Sequence, residues 1–262
     1  MIETIYQDGV VVLTMRHGKV NALDTELCQS LCVALDKAAA DGAQAVVLTG
    51  TGTVFSAGVD LHRVIAGREE YLASFLPELR RVFTRLATFE PPVVAAVNGH
   101  AIAGGYILAA AADRILMADG QGRAGVTEMA VGLPFPAIAL ELLRMRVGDA
   151  PARPLIDGAA TFQAGPALAC HLIDEAVAAG DLASRSLAAA RRLAALGPAF
   201  HLTKRQLRLL PLARAQDLAV LDADVDATWQ APPTLDRIQS YMASLKPPGS
   251  SSAAVQTEVL SA

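Results

Sequence analysis

Residues 98–113 read NGHAIAGGYILAAAAD, and the fold turns on the pair Gly104-Gly105 in its middle. Each glycine costs roughly 1 kcal/mol relative to alanine inside a helix. Placed directly before an alanine-rich run, the pair marks a helix start. A helix N-terminus carries unpaired N–H groups and partial positive charge, and backbone without side chains can lie against a ligand. PVVAAV at 92–97 is a predicted strand, and Arg114–Ala118 (RILMA) is another. The unit is therefore strand, glycine turn, helix, strand.

Working outward, Val10–Met15 reads as a strand and HGKVNALD as a turn. Asp24 caps a predicted helix running to about Ala40, with Leu27, Leu31, Ala34, Leu35 and Ala38 at helical spacing. Ala45–Thr49 (AVVLT) is a short strand, followed by the glycine-bearing loop GTGTVFSAGVDL. A helical region is expected over Arg68–Thr88, bent or split at Pro77. From Ala183 onward the chain reads as helical, through LASRSLAAARRLAAL, AFHLTKRQLRLLPLA and Asp217–Trp229. The tail KPPGSSSAAVQTEVLSA has the composition of a disordered segment. Alternating strands and helices point to α/β layering with crossover connections. The two glycine loops follow strand C-termini, where α/β folds place ligands.

The 262 residues are 53% hydrophobic and 18% charged, with a net charge of −4. That composition supports a sizeable core and carries no nucleic-acid footprint. No charge-free apolar run approaches about 18 residues, so no membrane span is expected. The N-terminus lacks a signal-peptide apolar region, which predicts a cytoplasmic protein. Cys28, Cys32 and Cys170 form no ligand cluster with histidine and are expected as free thiols. His17, His62 and His201 lack metal-ligand spacing and His100 belongs to a turn, so no metal is expected.

Two loops from two strand ends can aim two backbone N–H groups at one point, as an oxyanion hole requires. Neither loop has the G-x-G-x-x-G or Walker A pattern, which disfavours a nucleotide-phosphate loop. At this level the sequence resembles the crotonase, or enoyl-CoA hydratase/isomerase, superfamily. The likeness is carried by FSAGVDL and, about forty residues on, AAVNGHAIAGGYILAAAADRIL. RHGKVNAL and ATFQAGPALACHLIDEAV add to it, over about residues 5 to 210.

The resemblance implies a crotonase-like ββα superhelix over residues 1–195 and a helical C-terminal region over 196–246 used in trimer assembly. Residues 247–262 remain as a tail. It implies an acyl-CoA thioester as substrate, no bound cofactor, and a homotrimer or hexamer. Its motifs place the oxyanion-hole N–H groups at Val59 and Gly104. Contacts to CoA or substrate are implied for Lys19, Ala22, Leu23, Ala57, Gly58, Asp60, Leu61, Gly105 and Ile107. Asp60 is also expected to anchor its loop, and Lys204 is weighed as a CoA-phosphate contact or part of a solvated face. Asp113-Arg114 is expected to form an ion pair or end a helix.

Family hydratases use two glutamates. One of those positions holds Ile107 here, which cannot exchange protons; the other keeps Glu128, in GVTEMAVGLPFP. An apolar setting would raise the Glu128 pKa toward working pH. One carboxylate suffices to move a double bond from the 3,4 to the 2,3 position of an acyl-CoA, so Δ3-Δ2 enoyl-CoA isomerisation is the expected reaction. The alternatives are a hydratase or other crotonase-type lyase or hydrolase, and a catalytically silent acyl-CoA binder. Two further departures from the family pattern are Ala103 and His171, each standing where glycine is common.

Overall fold

Runs such as AVVLT and VVAAV show no polar alternation, which suits strands covered on both faces. In the computed structural model, which describes residues 1–244, these runs form the centre of a parallel sheet. Its strands are β1 (Ile2–Gln7), β2 (Val10–Met15), β3 (Ala45–Thr49), β5 (Val93–Val97), β7 (Arg114–Ala118) and β10 (Glu175–Val177), in that spatial order. Only β1 runs antiparallel, paired through the Asp8-Gly9 turn with Ile2 opposite Met15. A second, smaller sheet joins β4 (Val54–Ser56), β6 (His100–Ile102), β8 (Ala124–Gly125) and β9 (Thr161–Phe162). β1, β10 and the small sheet carry no periodicity of their own in the sequence; two- and three-residue strands exist only through their partners.

The helices are α1 (Thr25–Ala40), α2 (Leu61–Ala87), α3 (Gly104–Ala110), α4 (Ala137–Val147), α5 (Asp149–Asp157) and α6 (Ala164–Ala169). α7 (Leu182–Ala194), α8 (Gly197–Leu218), α9 (Asp222–Gln230) and α10 (Pro232–Ser244) follow. The Asp24 carboxylate accepts from the Leu27 N–H at 2.8 Å and caps α1, as its sequence predicts. α2 starts seven residues earlier than expected. Its non-helical break falls at Arg68 (φ 45°, ψ −131°), while Pro77 sits within the helical part that follows.

One face of the large sheet (Val11, Leu13, Val46, Leu48, Ala95, Ile115) joins a core shared with α1, α2 and α3. The other face (Val47, Val94, Ala96, Leu116) is covered by α7 through Leu182, Ala189 and Ala190. Trp229, Leu235 and Ile238 of the last helices enter the first core, so that core runs continuously across the expected boundary at 195/196. The tail expected over 247–262 lies outside the described residues.

α8 is fastened by a buried charge cluster. Lys204 Nζ lies 2.6 Å from Asp113 Oδ2 and 2.8 Å from the Pro91 carbonyl. Arg208 pairs with Asp113 Oδ1 at 2.7 Å and donates to the Ala111 carbonyl at 2.9 Å and to the Leu86 and Ala87 carbonyls. Asp113 also accepts from the Val93 N–H at 2.8 Å. Carbonyls at the ends of α2 and α3 are thus capped by one guanidinium. This corrects one expectation: Lys204 is only 6% exposed and does not lie on a solvated face. Asp113, just past the end of α3, forms its ion pairs with α8 rather than with its neighbour Arg114.

Among the described residues no helix is long and apolar enough to cross a membrane.

Candidate active site

The segment 54–61 and the start of α3 are brought side by side by β4 pairing with β6. Gly58 adopts φ 85°, in the left-handed region that glycine enters freely. A Cβ there would stand 2.8 Å from the Ile102 carbonyl oxygen and 3.5 Å from the Gly104 nitrogen, so the two glycine loops touch. Leu23 locks the first loop from the other side. Its N–H donates to Gly58 O at 2.7 Å, and its carbonyl accepts from the Asp60 N–H at 2.9 Å. These bonds flank Val59, whose own N–H has no protein acceptor among the described residues, and the same holds for Gly104.

The two adjacent glycines divide their work. A Cβ on Gly105 would stand 2.3 Å from Ser56 O, so Gly105 exists for close packing of α3 on the first loop. A Cβ on Gly104 would meet Leu23 Cδ1 at 3.1 Å and Phe83 at 3.7 Å, with the cavity beside it. Ala103, which precedes them, has φ 51° and ψ −129°. It holds the backbone of a glycine despite its side chain, as does His171 at φ 60°. Both residues thus adopt positive φ, the region that glycine enters freely.

Val59, Gly104, Ile107 and Glu128 line one cavity of ≈ 160 Å³. Glu128 opens a 3-10 turn, Glu128–Val131, after β8. It is half-buried as a residue, but its Oε2 is shut from solvent and has no hydrogen-bond partner. Burial pushes its carboxyl up to about 7 from the usual 4.5. Glu128 supplies the sole carboxyl among the lining residues. A cavity that offers one near-neutral carboxyl and two unpaired amides suits proton transfer beside a polarised carbonyl.

Other expected site residues fall nearby in differing ways. Ala57 and Leu61 line the cavity. Asp60 caps α2, accepting from the Arg63 N–H at 3.1 Å, which anchors the loop as expected. Leu23, Gly58 and Gly105 support the walls without lining them, and Ala22 lies outside the lining next to Leu23. Lys19 is exposed and apart from the lining.

Sequence reading passed over two groups. Asn21 is buried; its Nδ2 donates to the Val54 and Phe55 carbonyls, and its own carbonyl accepts from Ser56 Oγ at 2.7 Å. Its place inside RHGKVNAL was the available signal. Trp229 and Tyr241 complete the cavity from far along the chain, with no spacing to reveal them, and Phe135 adds to it from the GLPFP run just after Glu128. Leu79 and Phe83 of α2 join them.

Comparison with known proteins names the class to which this fold and cavity belong. A family model described as enoyl-CoA hydratase/isomerase matches residues 6–230, and the chain belongs to that family. A Thermus thermophilus protein that carries an enoyl-CoA hydratase name is 39% identical over 198 residues, covering 73% of this chain and 77% of the relative. The crystal structure of human mitochondrial delta3-delta2-enoyl-CoA isomerase superposes with a TM-score of 0.86 at 26% identity, over 93% of this chain and 97% of that one. A Mycobacterium tuberculosis structure carrying a probable enoyl-CoA hydratase name gives 0.80 at 32%, over 85% and 94%. Both reaction names occur among the relatives, so the likeness defines the family and leaves the reaction to the site.

Proposed function

We propose that this protein is a Δ3-Δ2 enoyl-CoA isomerase. The observation that carries the reading is the single carboxyl among the described residues that line the cavity, Glu128, with Ile107 lining the same space where a second carboxylate would be needed for paired-carboxylate hydration. The Val59 and Gly104 N–H groups hold the thioester oxygen. Glu128, as carboxylate, takes a proton from C2; the electrons pass into a dienolate whose charge rests on that oxygen. The protonated Glu128 then returns the proton to C4, leaving the 2,3 double bond and a regenerated carboxylate. No water or cofactor is consumed. The apolar walls from Leu79, Phe83 and Leu133 support the same reading, because they disfavour an ordered attacking water.

A 3-enoyl-CoA incubated with the protein should develop conjugated thioester absorbance, and Glu128→Gln should slow this by about 10²–10⁴. A 3-hydroxyacyl product from a 2-enoyl-CoA would instead mark a hydratase. Binding of CoA esters with no turnover would mark a silent binder.

Assembly into a homotrimer or hexamer is part of the proposal. It is supported by Leu207 and Leu210, three residues apart on α8 and 70% and 68% exposed, with Val220 and Leu221 just beyond. Large apolar side chains grouped this way mark a surface awaiting a second copy.

A further inference from the structure

The cavity is lined by residues from the late helices as well as from the glycine loops. Trp229 of α9 lines it, is 2% exposed, and donates its Nε1–H to the Pro134 carbonyl at 2.9 Å. A lining side chain so shut from solvent faces only cavity and protein. The wall is braced. Asp222 of α9 pairs with Arg80 of α2 at 3.1 Å and accepts from the Ala137 N–H at 3.0 Å, and Asp226 also pairs with Arg80. An indole fixed by a hydrogen bond on a helix tied to two others cannot swing aside as a free side chain could.

The size of the space then sets a limit. An engineered cavity of about 150 Å³ in another protein takes benzene, a six-carbon group. The cavity here is ≈ 160 Å³. We infer that Trp229 is a specificity-determining residue, and that it restricts the site to short acyl chains of about six carbons. The inference rests on the acyl-CoA reading above, though not on the isomerase step.

Trp229 is the single tryptophan of the chain, so its emission reports on its own surroundings. The test titrates the intact protein with saturated acyl-CoA thioesters from acetyl to dodecanoyl, following Trp emission and binding heat. Affinity should rise about fourfold per added methylene, stop rising near hexanoyl, and be accompanied by a change in emission. Trp229→Leu, checked for native circular dichroism, should carry the rise onward, with octanoyl-CoA binding at least about fourfold tighter than to the native protein. An uninterrupted gain through dodecanoyl in the native protein overturns the inference. So does calorimetric binding without any emission change, or a folded Trp229→Leu with an unaltered chain-length profile. If Trp229→Leu does not fold, the native series and its emission decide alone. If no CoA ester binds at all, the acyl-CoA reading itself fails; binding without a length limit sinks this inference only.

Discussion

Gly105 lies so close to Ser56 that a methyl group on it would stand 2.3 Å from the Ser56 carbonyl oxygen, whereas one on its neighbour Gly104 would meet only side chains, Leu23 Cδ1 first at 3.1 Å. Gly105→Ala must therefore push α3 off the first glycine loop, and backbone atoms cannot yield cheaply. It should cost about 1–3 kcal/mol in a denaturant titration. Gly104→Ala meets Leu23 Cδ1, the end of a side chain, at 3.1 Å. Its stability should change by less than about 1 kcal/mol, while turnover falls steeply because the methyl group crowds the cavity. Equal stability losses for the two variants would contradict the division of roles.

Glu128 should couple stability to activity. Its folded carboxyl titrates at about 7, above its ordinary 4.5. The folded state thus favours the protonated form. That contribution is complete below about pH 4.5 and is lost as pH rises through about 7. The difference corresponds to about 3 kcal/mol. Glu128→Gln, which carries no charge, should melt higher than the native protein at pH 8 and alike at pH 4. Superimposable melting curves at both pH values would show that the carboxylate is not desolvated.

The same titration governs the rate. A base must be unprotonated in the free protein, so kcat/KM for a 3-enoyl-CoA should rise with pH, reach half its maximum near 7, and level off. A midpoint near the ordinary carboxylate range would place the working base elsewhere.

Ala103 holds φ 51° and ψ −129°, a conformation that strains any residue with a Cβ. Such strain is on the order of 1–3 kcal/mol. Ala103→Gly should relieve it and raise the melting temperature, measured by calorimetry, without loss of turnover. Asp113→Ala should do the opposite. It leaves Lys204 and Arg208 buried without their carboxylate, at a cost of about 3–5 kcal/mol, read by chemical denaturation.

Replacement of Leu207 and Leu210 by Asp should convert a sedimenting oligomer into monomers that keep their circular dichroism. A native protein that sediments as a monomer would remove the assembly proposal.

The long central strands, α1 with its Asp24 cap, and the two glycine turns were legible because each is dictated locally. Unbroken β-branched runs suit a doubly covered sheet, and a capping carboxylate needs only the residues beside it. Glu128 and Ile107 were legible through the family motif, which carries position without geometry. By contrast, Lys204 looked like part of a basic, solvated stretch, since sequence shows its charged neighbours and not Asp113, 91 residues away.

Amino-acid order alone determined the α/β class, the family, and which carboxylate is kept and which replaced. Tertiary structure decided that Val59 and Gly104 share a cavity with Glu128, that burial lifts this carboxyl toward neutrality, and that Trp229 lines the same space from α9. The physical reason is range. Propensities, caps and turns act over a few residues, while desolvation and cavity size depend on groups that only folding brings within a few ångströms.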